Sequence, residues 1–91
     1  MPSLIELYET NYIATQTTTV VKTGSGVLHT ITIGETAAGA ITVYDNTAAS
    51  GTILAILKAS IAEQTFTLDI PFRIGLTVVT AAASKLTVSF R

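Results

Sequence analysis

The apolar positions of this chain recur mostly at every second residue. In TFTLDI, Phe66, Leu68 and Ile70 alternate with Thr65, Thr67 and Asp69; in LTVSFR, Leu86, Val88 and Phe90 alternate with Thr87, Ser89 and Arg91. In VLHTITI, Val27, His29, Ile31 and Ile33 fall on one side and Leu28, Thr30 and Thr32 on the other. Side chains of an extended chain point alternately to opposite faces, so period two predicts half-buried strands with one face on a core. Seventeen threonines and many Val and Ile favour the same state, because β-branched side chains suit a pleated surface.

Turn residues divide these runs. Gly24-Ser25-Gly26 is expected to join TTTVVK to VLHTITI as a hairpin, with glycine supplying positive φ. GETAAG (34–39) is the next break, DNTAASG (45–51) lies between AITVYD and TILAILKA, and Ala81–Ser84 is expected to close a last hairpin. Pro71 has no N–H for a ladder, so it belongs at a strand end or an edge. Seven or eight short strands spaced at about 8–12 residues predict an all-β sandwich or jelly roll. Only Ser3–Asn11 carries a faint helical period.

Two runs break the alternation. ILAIL (53–57) is apolar on both faces, and so are parts of IGLTVV (74–79). Such strands are either central and covered twice or packed on a neighbouring subunit. A single short domain has little chain with which to cover a sheet face twice, so Leu54, Ile56 and Val79 are the candidate interface of a homo-oligomer. The first sixteen residues stand apart from the sandwich domain (17–91). Leu4, Ile5, Leu7, Tyr8 and Tyr12 make this segment an edge strand on its own core or an arm reaching a partner, where tyrosine serves as an anchor with a polar tip.

Composition sharpens the picture. The chain has 91 residues, 48% hydrophobic and 12% charged, against about 25% charged in an average domain. A domain this small has a thin core, and without cysteine neither disulfides nor thiolate metal sites supplement it. So few charges imply a threonine-covered surface or one that meets other protein. Lys22, Lys58, Arg73, Lys85 and Arg91 are scattered and the net charge is −1, which removes the electrostatic basis for nucleic-acid binding. Uncharged stretches such as 46–57 and 74–84 are too short to span a bilayer as helices. MPSLIELYET lacks a basic start and an apolar h-region, so cytoplasmic synthesis without export is expected.

Catalytic chemistry finds little support. The single histidine, His29, falls on the apolar side of its strand, where a structural role is the first reading; three copies holding an ion on a threefold axis is the second. Glu6, Glu9, Glu35, Asp45, Glu63 and Asp69 fall mostly in loops or on outer faces, a poor basis for paired-carboxylate catalysis. TGSGVLHT leads into a strand rather than a helix N-terminus, so it is no phosphate loop. Zinc and EF-hand spacings do not occur. Asp45-Asn46-Thr47 reads first as a hairpin connection and second as a small ion- or sugar-binding loop. No enzyme activity, cofactor or metal is expected.

The segments TTVVKTGSGVLHTITI, AITVYDNTAASGTILAIL and IPFRIGLTVVTAAASKLTVSFR together resemble small virion-associated proteins of tailed bacteriophages and prophages, over about residues 17–91. The resemblance implies a compact β-sandwich on the virion head surface, a capsid decoration (cement) protein or head-fibre base. Its implied partner is the major capsid protein or a neighbouring virion protein, and its implied assembly is a trimer. It carries over no catalytic residue and does not reach residues 1–16. The alternative is a carbohydrate- or receptor-binding module on a tail or fibre. Phe66, Phe72 and Phe90 lie in phase with core positions, so Tyr8, Tyr12 and Tyr44 are the aromatics available to it.

Overall fold

The computed structural model describes residues 8–91. They form eight strands: β1 (Glu9–Ile13), β2 (Thr18–Thr23), β3 (Gly26–Glu35), β4 (Ile41–Asp45), β5 (Thr52–Leu57), β6 (Thr65–Phe72), β7 (Gly75–Thr80) and β8 (Lys85–Phe90). Every pairing is antiparallel, and the strand orders are β1-β8-β3-β6 in one sheet and β2-β7-β4-β5 in the other. Two four-stranded sheets wound in this order make a jelly roll, the all-β sandwich that the alternation predicts. The described residues contain no helix.

The core lies between the sheets. The first sheet contributes Ile13, Leu28, Ile31, Ile33, Phe72, Leu86, Val88 and Phe90; the second contributes Ile41, Val43, Leu57, Leu76 and Val78. Full burial of such a side chain stabilises the fold by about 1.5–3 kcal/mol. The buried threonines are satisfied. Thr80 Oγ1 donates to Thr15 O at 2.6 Å and accepts from Thr17 N–H at 3.0 Å, tying the β1–β2 connection to β7.

Two expected hairpins are instead crossings between sheets. The turn after Thr23 does reverse the chain, with Gly24 at φ 96°, but β2 pairs with β7 while β3 pairs with β6 and β8. Ala81–Ser84 likewise leads from β7 in one sheet to β8 in the other. Of the sequential pairs, only β4 and β5 are neighbours in a sheet. Turn residues encode where a chain reverses, whereas pairing depends on strands far away in sequence. β6 runs through Pro71 to Phe72, and its place at a sheet edge accommodates the missing N–H.

The assignment of faces in β3 is also corrected. Leu28 pairs with Phe90 and Thr30 with Ser89, so His29 is an extra residue relative to β8. This bulge shifts the phase by one. Leu28 joins Ile31 and Ile33 in the core, and His29 leaves the apolar face. On the other flank Leu28 pairs with Ile70 and Thr30 with Thr67, and Asp69 there adopts a left-handed φ of 49°.

The described part of the N-terminal segment is an edge strand. β1 pairs with β8 from Glu9↔Phe90 to Ile13↔Leu86, and Ile13 is buried. The division at residue 16 therefore does not separate β1 from the sandwich. Leu4, Ile5 and Leu7 lie outside the described residues. Of the two doubly apolar runs, β7 is central in its sheet, whereas β5 is an edge strand.

Candidate functional site

Alternation in the second sheet directs Leu76 and Val78 of β7, and Ile41 and Val43 of β4, into the core. Their neighbours face outward. The pairing then aligns two rows across four strands: Val20–Thr77–Tyr44–Ile53 and Thr18–Val79–Thr42–Ile56. Neither row contains a charged residue. Val20, Ile53 and Ile56 are 46%, 48% and 59% exposed, so the aliphatic surface is densest on the two edge strands. Lys58 directly follows β5 and Lys22 lies near the end of β2, which leaves both cations outside the rows. Two uncharged rows, with threonine and Tyr44 at their centre and aliphatic side chains exposed at both edges, suit a protein-contact surface.

The proposed interface residues divide. Ile56 and Val79 lie in one row of this face. Leu54 does not: a bulge opposite Val43 and Tyr44 releases it from the pairing, and its side chain packs against the core. The same bulge returns Ile53 to the outer face, which simple alternation from Ile56 would not do. Val20 is not singled out by the sequence, and Tyr44 only as an aromatic available to a carbohydrate-binding module, not as part of a contact face. The signal for them is the register with β7, which no local pattern carries.

The DNT loop is a braced turn. Asp45 Oδ1 accepts from Ile74 N–H at 2.8 Å, Arg73 N–H at 3.0 Å and Gly75 N–H at 3.4 Å, which fastens the β6–β7 turn to the end of β4. The Ile74 N–H is the main reason this carboxyl is held below its ordinary value; desolvation, next in size, opposes it, and the Arg73 and Gly75 N–H groups and the Arg73 charge add to the lowering. Asn46 Oδ1 accepts from Thr47 N–H at 2.8 Å, its Nδ2 donates to Ser50 O at 2.9 Å, and its backbone carbonyl accepts from Thr77 Oγ1 at 2.6 Å. Gly51 closes the turn at φ 88°. The side chains of Asp45 and Asn46 are thus committed to the fold.

The outer face of the first sheet is different in kind. Its rows are Thr10–Ser89–Thr30–Thr67 and Tyr12–Thr87–Thr32–Thr65, lined by hydroxyls, with Thr32 Oγ1 and Thr65 Oγ1 3.0 Å apart. At the β3 bulge, His29 Nδ1 lies 2.5 Å from Asp69 Oδ1, and the Tyr8 ring stacks on the imidazole with centroids 4.2 Å apart and planes at 13°. Tyr8 thus places its ring on its own domain, as an anchor at the root of β1. Tyr12 remains 63% exposed. Among the described residues no group of three His, Asp or Glu side chains is arranged to hold a metal ion.

No protein-family model and no curated protein matches the chain. Among solved structures it is similar to the Drosophila NLP core, a protein studied for pentamer formation and histone binding. The TM-score is 0.59 at 15% identity, covering 91% of this chain and 94% of that one. Similarity at this identity establishes the shared fold.

Proposed function

We propose that this chain is a non-enzymatic structural protein that acts by protein–protein contact, as a capsid decoration protein on the head of a tailed phage. The observation that carries the contact role is the uncharged outer face of the second sheet, with Val20, Ile53 and Ile56 half exposed along its edges. The placement on a virion rests on the resemblance of residues 17–91 to small phage virion proteins. Completing the burial of each of these side chains would contribute about 1 kcal/mol, since roughly half their area is already covered. A few such residues per subunit, repeated around a ring, suffice to decide assembly. The Drosophila NLP core forms pentamers, which gives precedent for closed homo-oligomers of this fold, and a trimer is the form implied by the phage resemblance.

Sedimentation tests the reading directly. The purified protein is expected to run as a closed oligomer at tens of micromolar and to co-sediment with phage shells that lack it. A monomer that leaves such shells bare would overturn the proposal.

A further inference from the structure

The hydroxyl-lined face of the first sheet ends in a hollow of about 280 Å³, bounded by Tyr12, Thr32, Gly34, Glu35, Lys85 and Thr87. Three features converge there. Tyr12 sits on edge strand β1 and, at 63%, is the most exposed large hydrophobic side chain among the described residues. Lys85 Nζ donates to Glu35 Oε2 at 3.2 Å, and both side chains are about half exposed. Tyr12, Thr87 and Thr32 are aligned in one row by the register, so the hydroxyls adjoin the ring.

An ammonium has three donors and an ionised carboxylate about four acceptor positions, so one mutual bond leaves both with capacity for a ligand. An acceptor and a donor side by side match a vicinal diol, in which one hydroxyl donates to the carboxylate and the neighbouring oxygen accepts from the ammonium. An exposed aromatic ring matches the C–H face of a pyranose. Gly34 keeps the floor open: a Cβ added there would meet only Lys85 O, at an ordinary 3.7 Å. The second outer face offers no such combination, because neither of its rows carries a charge.

We propose that this hollow is a saccharide subsite for a neutral pyranose bearing a vicinal diol, with the Tyr12 ring as platform and the Glu35–Lys85 pair as the polar clamp. The hydroxyls of Thr32 and Thr87 supply further partners along the row. The site lies on the sheet opposite the contact face, so it operates whether or not the chain assembles through that face. A small ligand held by one ring and one clamp binds with a dissociation constant on the order of millimolar.

The test is a titration of the full ¹⁵N-labelled chain, followed by amide shifts, with methyl α-glucoside, methyl α-mannoside, methyl α-galactoside and N-acetylglucosamine. At least one of them is expected to give saturable shifts centred on Gly34, Glu35 and Thr87. Tyr12→Ala is expected to weaken that binding at least about tenfold. Gly34→Val should do the same by filling the hollow; a Cβ there meets only Lys85 O, at 3.7 Å, and the variant's amide spectrum checks that it is folded. Absence of saturable shifts from all these sugars up to about 50 mM, well above the affinity stated, would overturn the proposal. So would shifts that persist unchanged in folded Tyr12→Ala, or that fall on the second sheet. Shell co-sedimentation reads the other face, so the two readings fail separately.

Discussion

Asp45 shows how one side chain can serve as a structural joint. It accepts from three backbone N–H groups of a turn 28 to 30 residues away, which holds its carboxyl ionised to lower pH in the fold than in the unfolded chain. A depressed folded value contributes stability that is present in full above the ordinary 3.8 and lost as pH falls through the folded value. Asp45→Asn, which keeps the shape and removes the charge, is therefore expected to lower the melting temperature at pH 7. The gap from the parent should shrink as the pH is taken below 3.8, which thermal melts at stepped pH would show. Gly26 is a joint of another kind. A Cβ there would lie 2.0 Å from the Arg91 carbonyl oxygen and 2.8 Å from the Phe72 ring, where β3 meets the end of β8 through paired bonds between Val27 and Arg91. Gly26→Ala is expected to destabilise by about 1–3 kcal/mol or more in urea denaturation, because the crowding atom is backbone and has little freedom to move.

At the scale of elements, β1 and β5 are both edges but serve opposite purposes. β1 adds Ile13 to the core and carries Tyr12 on its other side. Ile13→Ala is expected to cost about 2–5 kcal/mol in denaturant unfolding, as for a core residue. A cost near zero would mean that the strand is an appendage. β5 buries Leu57 and keeps Ile53 and Ile56 outside through its bulge. The bulge in β3 does comparable work, moving His29 out to Asp69 and Tyr8 while Leu28 turns inward. In both strands one extra residue decides which side chains are available for function.

On the scale of the whole molecule, the sandwich has two outer faces of unlike chemistry: one uncharged with aliphatic side chains exposed along its edges, the other hydroxyl-lined with a half-exposed ion pair at one end. Ile56→Asp, a change outside the core, is expected to leave the melting temperature of the monomer nearly unchanged and to reduce self-association, because a carboxylate buried in an apolar contact lacks a partner. Sedimentation of parent and variant at matched concentration would show it. If both sedimented identically as oligomers, contact would have to lie elsewhere.

The all-β class, the strand positions and most of the core were legible in the sequence, because alternation is a local property: Leu86, Val88 and Phe90 are separated by polar residues and all point inward. Gly24 and Gly51 were legible as turn residues for a similar reason, since both require positive φ within a few residues of a reversal. Sheet membership was not, and neither was the tie from Asp45 to the β6–β7 turn or the composition of either outer face. Val20, Tyr44 and Ile53 become neighbours only through the register of β2, β7, β4 and β5; Tyr12, Glu35 and Lys85 meet only because β1 and β3 flank β8. Chain-local patterning determined what each strand buries. Long-range pairing and the bulges that interrupt it, whose energies depend on partners distant in sequence, decided what the folded molecule presents.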